Sequence, residues 1–207
     1  MTGEHASLSL VARTLQALHD GLDRSGPPAP CDAIFAFAGR AERARHATAL
    51  WRKGAAPALV LSVGRFEWRR FPDLGLPSDG GLRNLVLRTP PSLRHFLVVI
   101  DRSGSCAEWM PKGSFGTLSE ARAVARLARE RGWRSVQTVT TAAHSRRALL
   151  ALRRCTRGTP IRLGIVAVPE SQSSLRRDSW WRDRAGRALV LGEWMKLPVY
   201  GLLARRD

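Results

Sequence analysis

The sequence contains little lysine, few cysteines and no long apolar run. All but three of its 34 basic residues are arginine, and its three cysteines are widely spaced. An odd number of separated cysteines argues against a disulfide framework and favours a reducing compartment. No apolar segment approaches the roughly 20 residues that span a membrane, and no targeting segment is recognisable. We therefore expect a cytoplasmic protein, with peripheral attachment at the inner membrane left open.

The common nucleotide, hydrolase and metal motifs are also absent. The sequence has no Gly-x-Gly-x-x-Gly, no P-loop, no Gly-x-Ser-x-Gly elbow and no His/Cys spacing of a metal site. Nothing in it therefore directly supports a dinucleotide-binding enzyme, a Walker-type ATPase, a serine hydrolase or a structural zinc protein. We predict no metal site.

The sequence does have a large excess of positive charge, +17 at pH 7. The preference for arginine over lysine is also typical of GC-rich coding, so only part of this excess is informative. The remaining field favours anionic partners, which include phosphorylated small molecules and an acidic membrane surface. Specific nucleic-acid binding is not expected, because the chain has no compact basic run and no RNA-binding signature.

Five short apolar segments alternate with helical patterns along the chain. We predict buried strands at residues 32–38, 58–63, 96–100, 136–139 and 161–168. This alternation predicts a three-layer α/β fold with a mainly parallel sheet of about five strands. At 207 residues we expect one α/β domain over 31–200, with a cover helix within 1–26 and a Trp-rich helix at its end.

The remaining segments are predicted from local composition. Residues 102–115, rich in Gly and Ser, are expected to form a loop, and residues 64–91 a loop with one short helix near 82–87. Thr117 and Glu120 have the spacing of a capping box at the start of a helix over 117–131. The last helix is predicted over 174–203, with Pro198 interrupting it.

The stretch 135–154, SVQTVTTAAHSRRALLALRR, joins a β-branched strand to a helix through a turn rich in hydroxyl groups. A helix N-terminus presents unpaired N–H groups and partial positive charge, so this turn favours an anion, most often phosphate or carboxylate. In parallel α/β sheets, ligands bind beyond the C-terminal ends of the strands. The candidate positions are therefore residues 39–43, 62–65, 101–117 and 140–147.

Two longer motifs resemble a known family. They are FGTLSEARAVARLARERGW followed by VTTAAHSRRALLALRR, and a further match runs from the Gly39 turn through Arg43 and KGAAP to the strand end LSVG. Over about residues 31–200 the chain resembles the YdcF/SanA/ElyC family, a domain of unknown function. The resemblance implies a Rossmann-like fold and a role in bacterial envelope, peptidoglycan or polysaccharide homeostasis. For one cytoplasmic member it implies binding of S-adenosylmethionine, so S-adenosylmethionine or a nucleotide is left open as a cofactor.

The motifs that form the family's pocket map onto eight positions of this chain. Two features depart from the family pattern: Ser62-Val63-Gly64 replaces the usual Ser-Gly-Gly strand end, and a Trp-, Arg- and Pro-rich segment connects the second and third strands. Many relatives also carry an N-terminal membrane anchor, which we do not find here. The eight positions are Gly39, Arg43, Ser62, Thr117, Glu120, Thr141, His144 and Arg147.

We predict catalytic roles for His144 and Glu120. His144 lies three residues after Thr141 and three before Arg147, so these three side chains can share one helix face. An imidazole beside an anion pocket suits acid–base work, with helix capping or packing as the alternative. Glu120 would orient His144 or a water molecule, or else serves only in the capping box.

The predicted ligand-binding residues come from all four candidate positions. Asp101, at a strand end, could bind a ribose hydroxyl or a metal, or simply cap a turn. Four tryptophans, Trp68, Trp109, Trp180 and Trp181, could stack on a base or sugar, or serve only as amphipathic cover. The ligand-binding residues are Gly39, Arg43, Ser62, Asp101, Thr117, Thr140, Thr141 and Arg147.

Three functions are consistent with these predictions. The first is an α/β enzyme, a hydrolase or transferase, that binds a phosphorylated envelope or glycan precursor. The second is a non-catalytic regulator of envelope synthesis that binds a nucleotide or S-adenosylmethionine. The third is an accessory protein held at a membrane surface by its basic, Trp-rich C-terminal helix.

Overall fold

The structure, a computed structural model, describes residues 9–77, 81–111 and 113–205. Residues 1–8 of the predicted cover-helix segment, residues 78–80 of the predicted 64–91 loop and Lys112 of the predicted 102–115 loop lie outside these residues. Within them the chain forms six strands and six α-helices, with short 3-10 turns between some of them. The strands are β1 (Ala33–Ala36), β2 (Ala58–Val63), β3 (Phe96–Asp101), β4 (Gly104–Trp109), β5 (Ser135–Thr140) and β6 (Arg162–Ala167). The helices are α1 (Leu10–Asp20), α2 (Ala41–Arg52), α3 (Gly81–Arg88), α4 (Gly116–Glu130), α5 (Ala142–Cys155) and α6 (Arg184–Arg205).

The strands form one sheet in the order β4-β3-β2-β1-β5-β6. The central strand β1 runs parallel to both neighbours, so that Ala33 pairs with Ala58 of β2 and with Val136 of β5. β6 is parallel to β5, whereas β3 is antiparallel to β2 and to β4. The prediction of an α/β protein with a mainly parallel sheet is confirmed at this level.

The prediction for residues 102–115 is wrong. β3 turns back at residues 102–103 and pairs with β4, so the sheet has six strands rather than five. β4 alternates exposed and half-buried residues at the sheet edge and lacks the continuous apolar run of the inner strands. An edge strand of this kind gives a weak sequence signal.

Alternate residues of the inner strands pack on opposite faces of the sheet, as the two-residue period of a strand requires. On one face, Ile34 and Leu61 pack with residues of α2 and α3. On the other face, Phe35 and Val60 pack with residues of α4 and α5. Helices therefore cover both faces, and the central strands are buried throughout.

A third apolar cluster joins α1, α5 and α6. It contains Leu22, Trp180, Val190 and Leu197, and the indole Nε1 of Trp180 donates to the carbonyl of Leu15 at 3.1 Å. α6 begins ten residues later than predicted because residues 174–183 form turns that bury Trp180. Pro198 lies inside α6 and does not interrupt it. Among the residues that the structure describes, no helix is both long and apolar enough to cross a membrane.

Candidate functional site

A cavity of about 1750 Å³ opens at the edge of the sheet where β1 and β2 end. Because β3 runs antiparallel to β2, the start of β3 and the end of β4 lie at the same edge, where His95 and Met110 line the cavity. The start of α4 and one face of α6 complete its wall. Strand ends, a helix start and a long C-terminal helix thus converge on one space.

The amides that follow β1 and β2 bind a carboxylate from within the chain. Glu67, in the 3-10 turn Glu67–Arg70, accepts hydrogen bonds from the backbone N–H of Gly39 and, at 2.6 Å, from that of Gly64. Gly39 has a φ of 111°, a backbone conformation that glycine adopts without strain. The two strand ends therefore form a cradle that holds a negative group.

Glu120 projects from the first turns of α4 onto the same strand ends. Its Oε1 accepts from the amide of Ala38 at 2.9 Å and from the Ser62 hydroxyl at 2.6 Å. The capping box with Thr117 is not formed: the helix starts at Gly116, and its N-cap, Phe115, makes no side-chain capping bond. Burial raises the pKa of the Glu120 carboxyl, and the hydrogen bonds from Ser62 and Ala38 oppose that rise. Glu120 and Ser62 both face the cavity.

Arg43, in the first turn of α2, is 7% exposed and lies directly behind these strand ends. Its Nη1 donates to the carbonyl of Ala38 at 2.8 Å and its Nη2 to the hydroxyl of Thr141 at 3.1 Å. Its Nε is buried without a hydrogen-bond partner, and among the described residues it forms no ion pair. Burial lowers the pKa of Arg43 to about 10, so the guanidinium stays charged at neutral pH.

His144 is buried in the first turn of α5, 3% exposed, and does not line the cavity itself. Its Nδ1 lies 2.7 Å from the hydroxyl of Thr140 and its Nε2 lies 3.4 Å from that of Thr117. Burial, together with the positive charges of Arg43 and Arg147, lowers the pKa of His144 well below its usual range. The neutral imidazole contacts the cavity wall through the hydroxyl of Thr117 and through the ring of Phe37, whose centroid lies 5.3 Å away. Its predicted catalytic role stays a prediction.

Arg147 is engaged by α6. Its guanidinium forms a two-pronged ion pair with Glu193, with Nε–Oε2 and Nη2–Oε1 distances of 2.5 and 2.8 Å. Its Nη1 donates to the hydroxyl of Thr117, and the ring of Tyr200 lies 5.2 Å from its Cζ. These contacts fix Arg147 as part of the cavity wall and join α4, α5 and α6 there.

The structure brings together nine of the ten predicted site residues. Five of them line the cavity: Gly39, Ser62, Thr117, Glu120 and Arg147. Four lie behind it in the hydrogen-bonded layer just described: Arg43, Thr140, Thr141 and His144.

Asp101 lies elsewhere. Because β3 is antiparallel to β2, Asp101 ends it at the opposite edge of the sheet, beyond the pair formed by Ile100 and Leu59. There it accepts from Ser103 and from the guanidinium of Arg131 at 2.8 Å. The alternative role of Asp101 as a turn cap fits this position.

None of the four candidate tryptophans lines the cavity as described. Trp180 is buried against Trp181, Trp109 donates to the carbonyl of Leu93 at 2.9 Å, and Trp68 stacks near arginine side chains. They serve as packing and cover in this structure.

Positive charge dominates the cavity lining that the structure describes. Seven basic side chains line it, against three acidic ones, and Arg43 adds a buried charge behind it. The acidic residues are Glu67, Asp73 and Glu120; the basic ones are Arg40, Arg45, Arg65, Arg69, Arg70, Arg147 and Lys196.

The sequence prediction did not include two contributors to this site. Glu67 is one acid within an arginine-rich irregular segment, and no periodicity or motif marks it. The other is the second half of α6, whose wall residues include Lys196 and Tyr200 and lie beyond the Trp-rich helix start that the sequence prediction emphasises. Among the residues that the structure describes, no group of three or more His, Cys, Asp or Glu side chains is placed to hold a metal ion.

Comparison of the chain with protein-family models, with curated proteins and with solved structures finds no match. The fold and the cavity therefore define this protein as an α/β protein with a positively charged cavity at the ends of its central strands.

Proposed function

We propose that this cavity binds an anionic small molecule that carries a phosphate group. One observation supports this most: the amides of Gly39 and Gly64 hold a carboxylate, and the guanidinium of Arg43, whose Nε has no hydrogen-bond partner among the described residues, is buried close behind them. Gly39 connects the two features, since a Cβ at this position would lie 3.7 Å from the Arg43 Nη1. Backbone N–H groups beside a buried cation are a general way to bind phosphate.

In this proposal the phosphate takes the place of the Glu67 carboxylate. A phosphate oxygen accepts the same two amide hydrogen bonds, and the arginines of the Glu67 segment, Arg65, Arg69 and Arg70, line the space in front of them. The cavity exceeds the roughly 300–1,000 Å³ of typical small-molecule pockets, so a ligand with a bulky group attached to its phosphate fits.

Reaction chemistry on this ligand is proposed for Ser62 and Glu120 rather than for His144. The Ser62 hydroxyl donates to Glu120 and both line the cavity, so Glu120 is placed to take a proton from that hydroxyl or from a water molecule beside it. Burial raises the pKa of the Glu120 carboxyl above its usual value, which makes its carboxylate a stronger base. His144 would hold Thr117 in position.

The biological setting rests on the sequence resemblance alone. On that basis we propose a phosphorylated precursor of bacterial envelope or polysaccharide metabolism as the substrate, handled by a YdcF-like protein with a Rossmann-like fold. The alternative remains a regulator that binds a nucleotide or S-adenosylmethionine without turnover.

The experiment is a thermal-shift titration with pyrophosphate, nucleoside phosphates, sugar phosphates and S-adenosylmethionine. We expect the phosphorylated compounds to raise the melting temperature of the wild type. We expect Arg43→Gln to lose most of that shift, Arg43→Lys to keep more of it, and Arg88→Gln, on the exposed end of α3, to keep it all. Equal shifts in Arg43→Gln and Arg88→Gln would exclude this site.

Turnover separates the two functions. Release of inorganic phosphate from a stabilising compound, lost in Ser62→Ala and Glu120→Gln, supports the enzyme. Stabilisation without phosphate release, strongest for S-adenosylmethionine or a nucleotide, supports the regulator.

A further inference from the structure

α6 exposes a row of large apolar side chains that belong to none of the three apolar clusters in the part of the chain that the structure describes. Leu191, Met195, Val199 and Leu202 are 48, 78, 41 and 63% exposed. Their spacing of four, four and three residues places them on one face of the helix. We name this face the α6 stripe. The opposite face, with Val190 and Leu197, belongs to the third apolar cluster.

The α6 stripe continues into the mouth of the cavity. Met195 and Val199 both belong to the stripe and to the cavity lining. The cavity lining also contains two exposed aromatic side chains. They are Phe66, 63% exposed, and Phe115, 43% exposed. Exposed apolar side chains gathered along one helix face and around the cavity that it lines indicate an interaction site.

Basic side chains surround the α6 stripe. Lys196 is adjacent on the helix; its side chain is 54% exposed and its Nζ lies 3.6 Å from Oε1 of Glu193. Arg184 and Arg187 are exposed near the helix start. Across the cavity mouth lie Arg65 and Arg69. An apolar helix face bordered by cations complements the interface of an anionic phospholipid membrane, which offers both acyl chains and negative headgroups.

The charge also argues against a second copy of the chain as the occupant. Each copy carries +17, and apposed stripes would bring two sets of basic side chains together. Like charges of this size oppose association. A lipid surface supplies the opposite sign and requires no matching pocket.

We propose that the α6 stripe docks this protein on an anionic phospholipid surface, with the cavity mouth beside the lipid headgroups. α6 then lies in the plane of the interface and does not cross it. The proposal places the contact on the second half of the helix. The Trp-rich segment before α6 offers less apolar surface for the contact, because Trp180 is 2% exposed and Trp181 is half-buried. This docking proposal does not depend on whether the cavity binds phosphate.

The experiment is flotation with vesicles of phosphatidylglycerol and phosphatidylcholine. A protein of this charge binds such vesicles through electrostatics alone at low salt, so the decisive variant leaves the charge unchanged. We replace three stripe residues, as Leu191→Ser, Met195→Gln and Leu202→Ser. Binding is measured at about 0.15 M and about 0.5 M salt, since the Debye length falls to about 4 Å at the higher concentration.

The matched control replaces three exposed apolar residues elsewhere. Leu10, Leu87 and Leu93 are 72, 73 and 51% exposed and do not line the cavity, and each is changed to Ser. We expect the wild type and the control to stay vesicle-bound at the higher salt. We expect the stripe variant to lose at least about tenfold in partition coefficient, because it loses three apolar side chains from the contact. Circular dichroism and melting curves check that both variants fold.

Three results would overturn the proposal. One is equal binding by the stripe variant and the control, which would assign all affinity to charge. Another is no binding of the wild type to anionic vesicles at about 0.15 M salt. The last is a wild-type dimer, seen by light scattering, that becomes a monomer in the stripe variant, which would make a second copy the occupant.

Discussion

Replacing Glu67 by glutamine should make the cavity bind phosphate more tightly. In the structure its carboxylate accepts the amide hydrogen bonds of Gly39 and Gly64, the same donors that we propose for a ligand phosphate. A bound phosphate must first displace this carboxylate. Glu67→Gln keeps the shape of the side chain and removes its charge, so the displacement becomes easier while the cradle stays intact.

The size of the effect follows from the two hydrogen bonds. A hydrogen bond to a charged group contributes about 1.5–3 kcal/mol and a neutral one about 0.5–1.5 kcal/mol, a difference of about 1 kcal/mol for each bond. Glu67 is only partly buried, and solvent reduces this difference. We take about 1–2 kcal/mol for the pair of bonds, which corresponds to about 5- to 30-fold tighter binding.

The assay is isothermal titration of pyrophosphate into the wild type and Glu67→Gln, and Asp73→Asn is the matched control. Asp73 also lines the cavity but is exposed, so Asp73→Asn removes one negative charge and changes only the electrostatic potential in the cavity. Across about 10 Å of water that field change is worth about 0.4 kcal/mol, or about twofold in affinity. Weaker binding by Glu67→Gln, or an equal gain in both variants, would refute displacement of Glu67 by the ligand.

Two further predictions concern the layer behind the cavity. Glu193→Gln should lower the free energy of unfolding by about 2–4 kcal/mol in a urea titration, because it leaves the largely buried Arg147 without its partner. His144→Gln should reduce the pH dependence of stability below pH 6.5. Burial holds the pKa of His144 well below its usual 6.5 in the folded protein. As the pH falls below 6.5, His144 therefore becomes protonated in the unfolded chain while it stays neutral in the folded chain. The contribution of neutral His144 to the free energy of unfolding is therefore fully present above pH 6.5. It decreases as the pH falls below 6.5, by up to about 1.4 kcal/mol per pH unit.

Each of these predictions has a control in the same chain. Asp20→Asn breaks an ion pair with Arg177 whose side chains are about half exposed, and should cost less than about 1 kcal/mol. His46, half-buried, also has a lowered pKa because of burial, opposed by a hydrogen bond with Gln172, so His46→Gln should change the pH slope less than His144→Gln does. Equal costs for the two acid variants, or an unchanged slope in His144→Gln, would contradict the geometry described for this layer.

The parts of the fold that sequence predicts well are those with strong periodicity. The residues predicted for β2, 58–63, are those observed, and those predicted for α4, 117–131, differ from the observed helix by one residue at each end, because a continuous apolar run and an amphipathic pattern specify them. The direction of β3 was not predictable, since an apolar run reads the same whether the strand is parallel or antiparallel. Because β3 is antiparallel to β2, Asp101 lies at the edge of the sheet opposite to the cavity, one strand length from its predicted position.

The sequence predicts where the candidate site lies in the fold better than it predicts which contacts each side chain makes there. Gly39, Ser62 and Thr141 lie at or just after the C-terminal ends of β1, β2 and β5. Because these three strands are parallel, their C-terminal ends lie at the same edge of the sheet. The partners of each side chain depend on tertiary contacts that no local pattern encodes. Glu120 bonds to Ser62 instead of capping its own helix, and Arg147 pairs with an acid 46 residues away.

The reversal of β3 makes the segment between β2 and β3 a single excursion from one edge of the sheet. Both of its ends lie at the cavity edge, where Val63 pairs with Phe96. The exposed part of this segment can change in sequence without altering the core, whereas Phe71, Leu82 and Val86 pack in the apolar cluster on one face of the sheet. This excursion carries Glu67 and the arginines that face the cavity. Ligand preference in this architecture can thus diverge through one continuous insertion while the sheet and the buried arginine layer stay the same.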